Sequence, residues 1–142
     1  DGWEIVHVIR NDDSTDMGCR LVRTSELGGR MELDAYFLAG NVTFVFTEDL
    51  PIQGQMDVGI YGKYGTEDWG GDLSSGRAEG PLIAADVPGA GIIDMLQEWT
   101  ERGVTEVSLV DSKKSQIIAT IEVPDLPEAT AAFMACQDAM PW

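Results

Sequence analysis

Residues 104–140 run VTEVSLVDSKKSQIIATIEVPDLPEATAAFMACQDAM, and a change of period inside this stretch decides the fold. Residues 104–110 and 116–123 have the apolar, β-branched character of strands, and the polar Asp111-Ser112-Lys113-Lys114 between them predicts a hairpin turn. The spacing then becomes helical. Asp125 stands as an N-cap, Pro127 lies in the first turn, and Glu128 follows the cap by three residues in capping-box position. These signals predict a helix over about 126–139. Ala129, Ala132, Phe133, Cys136 and Met140 fall along one stripe of it, which places Cys136 on the buried face.

Working outward, the first half of the chain reads as strands. Trp3, Ile5, His7 and Ile9 alternate with Glu4, Val6, Val8 and Arg10. After the polar run 11–16, Cys19 and Leu21 share a face, and Gly28-Gly29 turns the chain into an arm where Met31, Leu33, Ala35 and Phe37 oppose Glu32, Asp34 and Tyr36. Val42, Phe44 and Phe46 form one face of a further strand, which must end before Pro51. Met56, Val58 and Ile60 begin another. Beyond it the alternation fails, and half of the sixteen glycines fall between Gly54 and Gly80, so long loops or short, bent strands are expected there. One more strand fits 81–87. Ile92, Met95, Leu96 and Trp99 then follow helical spacing, with Gly103 as a terminal cap, predicting a helix over about 90–102.

The order strands, helix, two strands, helix predicts an α+β fold: a mainly antiparallel sheet of about seven to nine strands carrying two helices, in one domain over 1–142. A β-sandwich with peripheral helices is the nearest alternative. No internal repeat occurs.

Twenty-five acidic residues against nine basic ones give a net charge of −16, which repels nucleic acid and anionic lipid. No apolar run approaches the ~20 residues that span a bilayer. Two cysteines in a short chain that opens Asp1-Gly2-Trp3, with neither methionine nor targeting segment, point to an exported protein with Cys19 and Cys136 joined as a disulfide. A periplasmic or secreted location follows. The partners left open are a protein, a glycan or small molecule, or a second copy of the chain.

No residue pattern here reaches the specificity of a catalytic or cofactor motif, so no catalytic residue and no cofactor is assigned. The lone His7 reads as an edge-of-core histidine, and one histidine with two paired cysteines cannot build a transition-metal site. Asp12, Asp13, Ser14 and Asp16 are a weak calcium candidate that departs from the EF-hand spacing. A carboxylate pair acting on glycans or peptidoglycan has too many candidates to choose among. Asn41-Val42-Thr43 matches a glycosylation acceptor inside a strand pattern. The segment of most functional interest is 61–71, where Tyr61, Tyr64 and Trp69 are separated by glycine and polar residues; such aromatics give large contact area at modest entropic cost. Trp142 reads as a lid over apolar surface.

Trp3 near the start, a cysteine on an early strand, and the closing Leu126-Pro127-Glu128-Ala129-Thr130-Ala131-Ala132-Phe133-Met134-Ala135-Cys136 together resemble small exported proteins of alphaproteobacteria, among them the invasion-associated locus B group. The likeness covers mainly the last forty residues. Where that group has a second early cysteine, this chain has none. The resemblance implies a periplasmic or secreted β-rich protein acting at the cell envelope or in host contact, without enzymatic activity. The functional expectation is therefore a non-enzymatic binding or interaction protein, the alternatives being a carboxylate hydrolase and a small-ligand or calcium carrier.

Overall fold

The computed structural model describes residues 2–9, 17–26, 28–36, 39–88, 91–113 and 116–140. Seven strands come first: β1 Trp3–Ile9, β2 Met17–Thr24, β3 Arg30–Tyr36, β4 Ala39–Val45, β5 Gly54–Tyr64, β6 Glu67–Glu79 and β7 Leu82–Pro88. Helix α1 (Gly91–Arg102), strands β8 (Glu106–Asp111) and β9 (Gln116–Glu122), and helix α2 (Leu126–Asp138) follow. The strands make a single antiparallel sheet in the order β1-β2-β3-β4-β7-β6-β5-β8-β9. One curled sheet with both helices on one face replaces the sandwich alternative.

Alternation decides what that face buries. Cys19, Leu21, Met31, Leu33, Val42, Phe44, Val58, Ile60, Ile83, Val107, Leu109 and Ile121 point inward, and the helices meet them with Ile92, Leu96, Trp99, Leu126 and Phe133. Helix α1 lies over β3, β4 and β7, while α2 lies over β1 and β2 and touches α1. Each aliphatic side chain so enclosed contributes about 1.5–3 kcal/mol relative to exposure.

Three expectations need correction. The glycine-rich stretch is not loops or short strands; β5 and β6 form the longest hairpin of the sheet, 11 and 13 residues. Its glycines serve close approach. A Cβ at Gly70 would stand 1.9 Å from the Ile60 carbonyl oxygen, and one at Gly62 would stand 2.7 Å from the Trp99 indole. Gly65 supplies the positive φ of 63° at the turn. The second correction concerns the start of α2. Asp125 adopts a left-handed φ of 56° and its side chain makes no capping bond. The chain must reverse sharply between β9 and α2, and the Trp3 indole N–H fixes that corner by donating to the Pro124 carbonyl at 2.7 Å. The third concerns the α2 stripe, in which Ala129, Phe133, Cys136 and Met140 are buried but Ala132 faces solvent.

The sequence-based pairing of sulfurs is present: Cys19 on β2 is bonded to Cys136 on α2 across 117 residues, with Cα atoms 6.3 Å apart. Closing a loop of that length removes unfolded-state entropy worth about 4–5 kcal/mol in the chain-entropy account. Alongside the bridge, polar contacts join β2 to the end of β9. Arg23 Nε donates to the Glu122 carbonyl at 3.0 Å, and the Ser25 hydroxyl donates to Glu122 Oε1 at 2.6 Å. The Arg23 guanidinium also lies 5.6 Å from the centroid of the Trp3 ring.

The Ser25 hydroxyl, above all, and then the Glu122 backbone amide and Arg23 hold the Glu122 carboxyl below its ordinary range. The folded chain therefore binds this proton less readily than the unfolded chain. The resulting stabilisation is complete above the ordinary glutamate pKa of about 4.3 and is lost as pH falls through the lower folded value. Glu122→Gln is expected to flatten the fall in unfolding free energy between about pH 5 and pH 3; slopes identical to the parent in urea titrations across that window would contradict this.

Candidate functional site

The solvent face of the sheet has its own order wherever β6, β5, β8 and β9 lie side by side. Residues directly opposite one another on neighbouring strands share a row, and rows two residues apart along a strand are separated by about 7 Å. Lys63 on β5 pairs with Asp68 on β6 and with Glu106 on β8, and Glu106 pairs in turn with Glu122 on β9. That is a charged row. Next to it, Tyr61 pairs with Gly70 and Ser108, and Ser108 pairs with Thr120, their hydroxyls 3.1 Å apart. The third row starts at Asp72 on β6, opposite Gly59, and is apolar beyond β5: Gly59 lies opposite Val110, and Val110 opposite Ile117.

Glycines beside Tyr61 leave the surface hollow. The rows, with Thr66, Glu67 and Ser112, enclose an open groove of about 620 Å³. Its chemistry is graded along the strands. Glu67, Asp68 and Glu106 outnumber the single ammonium of Lys63 at one end, hydroxyls and the Tyr61 ring occupy the middle, and Val110 and Ile117 close the other end. Ile117 is 63% exposed, the largest exposure of any big apolar side chain among the described residues.

The three aromatics singled out in the sequence do not form one surface. Tyr61 lies in the groove, but Tyr64 and Trp69 alternate to the opposite side, against the core. There the Arg102 guanidinium, at the end of α1, stands 5.5 Å from the Tyr64 ring centroid and 5.7 Å from that of Trp69. Arg102 also donates to the Tyr64 hydroxyl at 3.0 Å and to Glu98 at 3.1 Å. The Glu98 bond first, and the Tyr64 bond next, push the Arg102 pKa above its ordinary value, so the clamp stays charged. These two rings are anchors for the helix end.

His7 is exposed, and its Nε2 lies 3.6 Å from Cys136 Sγ. Asp12, Asp13, Ser14 and Asp16 lie outside the described residues, as does Trp142. No group of three or more His, Cys, Asp or Glu side chains placed to hold a metal occurs among the described residues.

A second polar cluster sits on the same outer face at β2 and β3. Asp34, 2% exposed, accepts two bonds from Arg20 at 2.7 and 3.0 Å and one from the Tyr36 hydroxyl at 2.9 Å. Bonding to Asp34, ahead of the opposing effect of burial, pushes the Arg20 pKa above its ordinary value. Arg20 also approaches Glu32 at 3.4 Å, and Glu32 is held by Arg30 at 2.8 Å. These groups spend their charge on one another and so act as a structural knot.

Sequence reasoning included Lys63 and Asp68 in the segment 61–71 without giving them a role, and it missed Glu106, Ser108, Val110, Ile117 and Thr120. The signal for some of them was present, since Glu106, Ser108 and Val110 are the alternate positions between Val107 and Leu109 in a strand that was legible. What joins them to Lys63 and Asp68 is the pairing of β5 with β8, a contact across a helix and some forty residues.

No protein-family model, no curated protein and no solved structure matches this chain.

The division of the aromatics between two faces has a direct test. Tyr64→Ala and Trp69→Ala are each expected to lower the unfolding free energy by about 1–3 kcal/mol in urea, whereas Tyr61→Ala should stay within about 0.5 kcal/mol of the parent. Equal costs at all three positions would contradict the placement.

Proposed function

We propose that this chain is a non-enzymatic binding protein of an oxidising, extracytoplasmic compartment, the periplasm or the exterior of a Gram-negative cell, and that the graded groove around Tyr61 is its binding surface. The single observation that carries the reading is the groove itself: an aromatic ring, hydroxyl groups and carboxylates presented in register on a rigid sheet. Such a surface offers hydrogen bonds, ring stacking and charge together, the mixture that fixes the orientation of a bound partner. The Cys19–Cys136 bond is the ground for the compartment, because disulfides persist where thiols are oxidised. The resemblance to small exported envelope proteins agrees with it. No described helix is long and apolar enough to cross a membrane.

The hydrolase alternative is weaker on the same geometry. Asp68 and Glu106 flank Lys63 in one row, two interstrand spacings or about 10 Å apart. That exceeds the ~5 Å of a retaining pair and reaches the upper limit of an inverting one, with an ammonium standing between the two carboxylates. Glu106 and Glu122 stand opposite each other at about one spacing, but the Glu122 carboxylate is engaged by Ser25 and Arg23 and so is not left for a sugar ring.

The test is retention of envelope components by immobilised protein. The triple variant Tyr61→Ala, Asp68→Asn, Glu106→Gln should lose about tenfold or more of what the parent retains, while Tyr64→Ala, on the opposite face, retains it. Retention by the triple variant at the parent's level would reject the groove. Release of reducing sugar ends from peptidoglycan by the parent, abolished in the triple variant, would reject the non-enzymatic reading.

A further inference from the structure

Resting on the groove as the binding surface, we infer that the occupant is an extended polypeptide segment of a partner protein, basic at one end and apolar at the other, which adds to the sheet as a tenth strand along β9. Four observations carry this.

The first is the state of the β9 edge. Among the described residues β9 pairs only with β8. Val123 N donates to Thr105 O at 2.9 Å, and with Glu106 opposite Glu122 this register directs the backbone groups of Ala119, Ile121 and Val123 toward β8. Those of Thr120 and Glu122 are directed away, and beyond the register shift near Leu109 and Val110 those of Ile117 are as well. The Glu122 carbonyl is taken by Arg23 Nε. Thr120 and Ile117 thus present peptide groups at an edge, which is the template that an added strand uses.

The second is how little guards the β9 edge among the described residues: Arg23 covers it at Glu122, and the register shift opposite Leu109 and Val110 is its one irregularity. Exposed edges are ordinarily blunted with lysine, proline or a covering element. The strand Gln116–Glu122 holds neither lysine nor proline and turns Ile117 outward.

The third is the coincidence of edge and groove. Ile117, Thr120 and Glu122, whose backbone groups face off the edge, are the β9 members of the apolar, hydroxyl and acidic rows. A strand added antiparallel to β9 extends each row by one residue, because side chains at i, i+2 and i+4 share a face. Its preferred sequence therefore reads basic, x, hydroxyl, x, apolar from the amino end.

The fourth is charge. Glu67, Asp68 and Glu106 face only Lys63 among the residues lining the acidic end of the groove, Glu122 beside them being held by Ser25 and Arg23, and the chain as a whole carries −16, which disfavours a second copy of itself as the added strand and favours a basic segment.

The experiment is a titration of isotopically labelled, disulfide-intact protein with the capped peptide Thr-Lys-Thr-Ser-Thr-Val-Thr, read by amide chemical shifts. Saturable shifts are expected at Ile117, Thr120 and Glu122. Thr120→Pro deletes an edge N–H without removing a β8–β9 bond and should weaken binding about tenfold or more, with the β8 and β9 amide pattern retained as the check on folding. Ile117→Thr should weaken it several-fold. The reversed peptide Thr-Val-Thr-Ser-Thr-Lys-Thr should bind less tightly, and raising salt from about 50 to about 500 mM should weaken the forward peptide. Shifts centred elsewhere, or equal binding by Thr120→Pro with its fold retained, would overturn the inference. If the peptide fails to bind while the triple groove variant still loses its envelope partner, strand addition is wrong and the groove stands. If the peptide fails and the triple variant keeps its partner, both fall.

Discussion

The structure depends on a pin between its first and last elements. A sheet of nine strands twists of itself, with β1 and β9 at its two edges, and here the helix that follows β9 packs over β1 and β2 at the other edge. Sulfur ties that helix to β2, the Trp3 indole holds the corner from which it departs, and Arg23 with Ser25 grips the end of β9. Each contact spans roughly a hundred residues of chain, so together they close the largest loop the fold contains. The entropy cost of such a loop grows slowly with its length, and a covalent tie removes most of it from the unfolded side of the balance.

The outer groove is a consequence of that closure. With the inner face committed to the helices, the outer face of β6, β5, β8 and β9 is left to solvent, and Gly70 opposite Tyr61 leaves room for a hollow. Glycine in this protein is a device for proximity: backbone meets backbone at Gly70, and the Trp99 indole rests on the chain at Gly62. Gly70, opposite Tyr61, both brings the β5–β6 hairpin together and leaves its outer surface low beside the ring.

Much of this was legible in the sequence and some was not, for identifiable reasons. Strands with clean alternation, such as Cys19 to Leu21 and Met31 to Ala35, declared their buried face, and Cys136 lay on the helical stripe where its partner could reach it. The long hairpin was obscured because glycine is scored as a breaker, whereas close approach can demand it in mid-strand. The cap at Asp125 misled because its side chain fits a capping box while the backbone is needed for a sharp reversal. Of the candidate binding residues, Tyr61 was placed in the groove, but Tyr64 lies three positions on and so points to the other face, and Trp69 pairs with Gly62 on that inner side. A spacing of three in a strand changes faces, and that could have been read. The pairing of Lys63 with Glu106 could not, since no local pattern announces which strands become neighbours.

The central claim is that one pinned seam holds α2, β1, β2 and the end of β9 as a unit. Amide hydrogen exchange on the oxidised and the reduced protein under native conditions tests it most directly. Reduction should release protection in β1, β2, α2 and the Glu122 end of β9 together, with the β5–β6 hairpin remaining protected. Release confined to α2, with β9 exchanging as slowly as before, would contradict the account.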